Sequence, residues 1–212
     1  MDNDKNERIF QVSKELFATL GYYHTSANLI AETADVSKAL IFHHFNSKKN
    51  LYFTIINDSI DVLMKAFEKE WQPQDSDDFF EQLKYFVKMK MNVAVLCPIE
   101  NKLLMQAFIT PPKELINELE QLFKEKSKPM LALNDDYIYQ LLTPHTIREG
   151  VELSQAKLLI RAVFEGFSQR IINEYAGKID NLMNETEKIL SEMDAIIDIL
   201  KYGVYKTTLG EL

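Results

Sequence analysis

Cysteine, glycine and proline are scarce in this chain of 212 residues, and each scarcity excludes something. Cys97, the one cysteine, has no second thiol in the chain to pair with and cannot build a cysteine-rich zinc site. Six glycines and six prolines are too few for the many tight turns of an all-β chain, so long helices are expected. No run of about 18 apolar residues occurs, and the opening MDNDKNER lacks the apolar stretch of a signal peptide. Neither a membrane span nor export by that route is expected, and a lone thiol suits the reducing cytoplasm. A surplus of positive charge is missing as well, since the net charge is −8, the wrong sign for a surface that meets phosphates everywhere. What is present, 46% hydrophobic and 26% charged residues, is ordinary for one large or two small globular domains.

Position qualifies the charge. Residues 1–50 carry six of the 24 basic and six of the 32 acidic side chains, so the whole of the −8 lies in residues 51–212. A neutral end on an acidic body leaves room for nucleic-acid binding at that end.

Periodicity then organises the chain. Ile9, Val12, Ser13, Leu16, Phe17 and Leu20 recur at three- and four-residue steps and predict a helix over residues 5–20, ended by Gly21. Thr25 and Ser26 are good N-caps for a short second helix carrying Leu29, Ile30, Ala31 and Ala34. Asp35-Val36-Ser37 breaks the pattern, and Ser37 caps a third helix over residues 38–44. Two short helices joined by a turn of three or four residues, with a supporting helix before them, form the helix-turn-helix arrangement of DNA readers. Ser47 then caps a long helix to Trp71, and residues 72–78 read as a linker. Helices follow over residues 79–92, from Pro98 to Phe108, and from Lys113 to about Leu133. The last two cover residues 154–176 and 185–205, and the apolar arc of the first is wider than one packing partner requires.

The stretch from Phe17 to Leu51, FATLGYYHTSANLIAETADVSKALIFHHFNSKKNL, resembles the DNA-binding domain of the TetR family of bacterial regulators. Leu16-Phe17, Gly21-Tyr22, Thr25-Ser26, Ile30-Ala31, Ala34, Val36-Ser37-Lys38, Phe42-His43-His44-Phe45 and Ser47-Lys48 match the family pattern in order. Three departures stand out. Asp35 occupies a turn position that is usually Gly, Ala39 and Leu40 replace common Gly and Thr, and residues 38–44 contain no Arg, Asn or Gln. The resemblance implies an all-α protein with a three-helix helix-turn-helix domain over residues 1–46. A C-terminal helical domain for ligand binding and dimerisation would occupy residues 47–212. It also implies a homodimer through residues 154–205, a double-stranded DNA operator and a small, largely apolar effector, with no cofactor.

Candidate residues follow from chemistry and from the resemblance together. Thr25, Ser26, Ser37, Lys38 and Lys48 stand at helix N-termini or carry a point charge, which suits phosphate contact; capping and solvation are the plain alternative. Asn28 suits an adenine contact if its side chain enters the groove, and otherwise is a surface residue. Ala39 and Leu40 suit thymine methyl groups, and Lys38 is the one long cation of the third helix, so an A·T-leaning half-site is expected. Phe42, His43 and His44 are read as DNA-contacting or packing rings, because adjacent histidines diverge by about 100° on a helix and make no metal site. Met64, Phe67, Trp71, Phe86, Met89, Met105, Phe108, Phe164 and Phe167 are candidate effector-pocket residues, with plain core as the alternative. Cys97 is expected to be an inert thiol. No nucleophile elbow, phosphate loop or zinc-protease helix is present, so an enzyme is not expected. The expected function is a transcriptional repressor released from a palindromic operator by its effector. The alternative is a helical ligand-binding or scaffold protein without operator binding.

Overall fold

In the computed structural model, residues 2–72, 76, 78–131, 138–175, 181 and 184–203 are described, and these are α-helical throughout with short connections and no strand among them. The chain forms two compact units, one of residues 1–72 and 92–132, the other of residues 73–91 and 133–212.

In the first unit α1 runs from Asp2 to His24 and is interrupted at Gly21, whose φ of 77° and ψ of 173° leave the helical region. The helix therefore starts earlier than residue 5, and its regular course ends at Gly21 as the sequence implies, with a short helical piece beyond the kink to His24. Ile9, Ser13 and Phe17, spaced by four, are fully buried. Helix α2 (Ala27–Thr33) and α3 (Lys38–Phe45) are each capped as their sequences imply: Ser26 Oγ accepts from Leu29 N and Ser37 Oγ from Leu40 N. Asn46, at φ 61°, turns the chain, and Ser47 caps α4 (Lys48–Glu70). At 1.5 Å per residue α4 is about 34 Å long. Leu51, Tyr52, Ile55, Ile56, Ser59, Ile60 and Leu63 line its buried face. Pro98 occupies the first turn of α6 (Pro98–Ile109), where a missing N–H costs nothing. Helices α1, α4 and α6 pack on one another, and the 3₁₀ turn Lys113–Leu115 leads into α7 (Ile116–Leu131); Leu115 of the turn and Leu119 of α7 join the same core.

Helix α5 (Phe79–Leu96) contributes its first residues to the second unit and its last to the first. Asp78 caps it, accepting from Phe80 N at 2.8 Å and Glu81 N at 2.9 Å. The second unit also holds the single turn α8 (Ile138–Gln140), α9 (Leu153–Tyr175) and α10 (Thr186–Tyr202). Ile189, Met193 and Ile197 repeat every fourth residue on the buried side of α10, and Lys84 on α5 meets Asp194 at 2.9 Å. Tyr175 donates to Glu185 at 2.8 Å, and Arg170 pairs with Glu192. Gly203, at φ 81°, closes α10, so that helix stops short of residue 205. The predicted ends at Gly177 and Leu133 and the apolar Val204 lie outside the described residues.

Candidate nucleic-acid interface

The turn between α2 and α3 is closed by paired backbone bonds. Val36 N donates to Ala31 O at 3.0 Å and Asp35 N to Glu32 O at 3.2 Å, the Schellman arrangement around a residue in the left-handed region. That residue is Asp35, at φ 50°, where a glycine would sit without strain. Val36 and Ala31, the apolar pair such a turn brings together, both join the core.

Beyond the turn, α3 buries Ile41 and half-buries Leu40 and Phe45, which leaves Lys38, Ala39, Phe42 and His43 on the open side. The Lys38 ammonium lies 5.8 Å from the Phe42 ring centre, and the His43 and His44 rings meet edge to face at 5.1 Å. His44 is half-buried. On α2, Ser26 and Asn28 are exposed.

Thr25 and Lys48 are placed less openly. Thr25 is fully buried, and its hydroxyl donates to Gly21 O at 2.8 Å and Leu16 O at 3.1 Å. Lys48 Nζ donates to Tyr22 O at 2.9 Å and stands 4.1 Å from the Tyr22 ring centre. Burial lowers the Lys48 ammonium below its ordinary value, against the opposing charge of Glu114. The same burial raises the Tyr22 phenol.

Contacts between distant residues surround this head. Arg8 Nη2 donates to Asp35 O at 3.0 Å, across 27 residues. Tyr23 donates to Glu114 at 2.5 Å and accepts from Lys113 N at 2.8 Å, and Lys49 meets Glu118 at 2.5 Å. Sequence periodicity missed them all, because no local pattern announces a partner 27 or 90 residues away.

The nine candidate pocket residues fall in both units. In the first, Met64, Phe67, Trp71, Met105 and Phe108 are half-buried, with Met64 and Phe108 against the core and the Phe108 ring 4.6 Å from Phe123. In the second, Phe86 and Met89 are buried and Phe164 and Phe167 half-buried, with the Arg170 guanidinium 5.2 Å from the Phe167 ring. An open cavity of about 400 Å³ in the second unit is lined by none of these nine residues; Tyr85, Lys88, Leu190 and Met193 are among those that line it. Cys97 is half-buried at the start of α6, and burial raises its thiol. Among the described residues no group of three His, Cys, Asp or Glu side chains is placed to hold a metal, and no helix is long and apolar enough to cross a membrane.

A capped helix-turn-helix head within an all-α chain defines the class of protein. Residues 9–55 match the model for bacterial regulatory proteins of the tetR family, and residues 77–205 match the tetracyclin repressor-like C-terminal domain. The chain belongs to the TetR family of bacterial regulatory proteins. It is 28% identical over 130 residues to the HTH-type transcriptional regulator RutR of Escherichia coli (strain K12), a match covering 58% of each chain. It thus spans little more than half the length of that relative. A TetR family transcriptional regulator from Chloroflexus aurantiacus J-10-FL shares the fold at TM-score 0.62 and 20% identity, over 95% of this chain and 93% of that one. FadR from Bacillus subtilis, solved in complex with stearoyl-CoA, does so at TM-score 0.59 and 17% identity, over 94% of this chain and 100% of that one.

Proposed function

We propose that this protein is a DNA-binding transcriptional repressor that acts as a homodimer on a palindromic operator and is released by a small, largely apolar effector. The observation that carries this reading is the open side of α3, where Lys38, Ala39, Phe42 and His43 stand clear of the core on a helix whose start is doubly anchored by the Ser37 cap and the closed turn. Ser26, Asn28, Ser37 and Lys48 flank that face as phosphate or base contacts. Thr25 acts there through its helix-end position, since its hydroxyl faces inward. The neutral residues 1–50 suit this role and the acidic remainder does not oppose it. Leu158 and Leu159 on α9 and Ile199 and Tyr202 on α10 are 50–80% exposed, an apolar cost that a second copy would remove. Two heads so joined would address half-sites about 34–36 Å apart.

For release, Met64, Phe67, Trp71, Phe86, Met89, Met105, Phe108, Phe164 and Phe167 supply apolar surface, and the stearoyl-CoA complex of FadR gives this fold a precedent for long apolar ligands. By linkage, bound DNA weakens the effector by the factor by which the effector weakens DNA.

The test is selection of binding sites from a random duplex pool, followed by salt-dependent gel shifts. A palindromic consensus leaning to A·T is expected, because α3 carries Lys38 as its one long cation and small or apolar groups beside it. Failure to enrich any sequence would leave the non-operator, ligand-binding reading in its place.

A further inference from the structure

Arg8 belongs to the first helix, 27 residues before the turn that enters α3, and its guanidinium donates to one backbone carbonyl there. That carbonyl is Asp35 O, 3.0 Å from Nη2, at the residue with φ 50°. The backbone and capping bonds of the turn are local: the two Schellman bonds run within residues 31–36, and the Ser37 cap reaches only to Leu40. Arg8 joins this turn to α1 by a side-chain hydrogen bond, and its neighbour Ile9 is fully buried in the core. Lys5, Asp35, Ser37 and Leu40 line an open groove between the start of α1 and the start of α3.

Asp35 makes this tether consequential. A side chain in the left-handed region is strained, and an exposed turn relieves that strain by leaving it. Any such departure swings Val36 and Ser37, and with them the first turn of α3. A charge-assisted bond to the carbonyl of the strained residue opposes the departure. We infer that Arg8 is a positioning residue for base reading: through Asp35 O it holds the entrance of α3 at a fixed pitch, and its charge is not a phosphate contact. The inference rests on the reading that α3 meets DNA.

The experiment uses the full chain, a duplex selected by the wild type from a random pool, an unrelated duplex, and a salt series. Arg8→Ala is expected to lose roughly tenfold on the selected duplex, the worth of one hydrogen bond from a charged donor. Affinity for the unrelated duplex and the salt slope stay at wild-type values. Adding Asp35→Gly to Arg8→Ala restores the loss, because glycine holds the left-handed position unaided. Equal losses on both duplexes with a slope reduced by about one would mark a phosphate contact and overturn the inference, as would no loss at all. If Arg8→Ala does not fold, Arg8→Gln takes its place under the same criteria. Should the wild type select no duplex, the DNA-reading proposal fails, and amide exchange without DNA still decides the tether: faster exchange at Asp35 and Val36 in the variant upholds it, unchanged exchange refutes it.

Discussion

Replacing Lys14 by alanine should destabilise the first unit more than any exposed charge change. Lys14 lies on α1 with a side chain only 8% exposed, and its ammonium meets Glu100 of α6 at 2.5 Å and Asp58 of α4 at 3.3 Å. Burial works to lower its pKa, but the hydrogen bonds and charges of Glu100 and Asp58 outweigh burial and raise it. Removing the cation strands a carboxylate at Glu100 that is 15% exposed beside one at Asp58 that is 43% exposed. Breaking a buried pair costs about 3–5 kcal/mol, and the partial exposure of Asp58 puts this case near about 3. For a chain of this size that is a fall in Tm of roughly 6–12 °C. Lys14→Met with Glu100→Leu removes both charges and should recover most of the loss, since apolar replacements of a buried pair are near neutral. The raised pKa fixes the sign with pH: the contribution is complete below the unfolded value of about 10.4 and fades as pH climbs through the folded value. Thermal unfolding followed by circular dichroism measures both effects. A fall of less than about 2 °C for Lys14→Ala, or a double variant no better than the single, would refute the reasoning.

Three further outcomes are expected. Thr25→Val should lower the urea midpoint by the equivalent of about 1–3 kcal/mol, because the carbonyls of Leu16 and Gly21 lose their donor, whereas Thr25→Ser should stay near wild type; equal midpoints for Val and Ser would contradict this. Tyr52 is 2% exposed and burial pushes its phenol upward, so the folded state holds its proton where the unfolded state releases it. Stability should therefore fall above about pH 10, and Tyr52→Phe should flatten that alkaline limb; an unchanged limb would tell against it. Leu159→Glu or Ile199→Glu places a charge on an exposed apolar face without touching the core of the unit, and sedimentation should then show monomers at micromolar concentration. Variants that sediment as the wild type does would remove that face from the dimer.

The helices themselves were legible because their signals are local. Ser26, Ser37 and Ser47 mark three N-termini through a hydroxyl that reaches a backbone N–H three residues on, a bond that needs no tertiary contact. The four-residue spacing of Ile9, Ser13 and Phe17, and of Ile189, Met193 and Ile197, likewise names a buried face before any partner is known. Even the departure at Asp35 could be read as a left-handed residue, since the turn around it is closed by its own neighbours. What sequence could not assign is which partners within the protein each polar group finds. Thr25 and Lys48 have the chemistry of phosphate ligands, yet one hydroxyl faces two carbonyls in the interior and one ammonium lies on a tyrosine ring. Lys14 looks like any surface lysine until α4 and α6 bring two carboxylates to it. The same holds for Arg8, whose partner is a backbone carbonyl that every residue possesses and no sequence pattern distinguishes. Local structure depends on nearest neighbours along the chain, whereas the environment of a charge depends on which distant helices fold against it, and only the tertiary structure decides that.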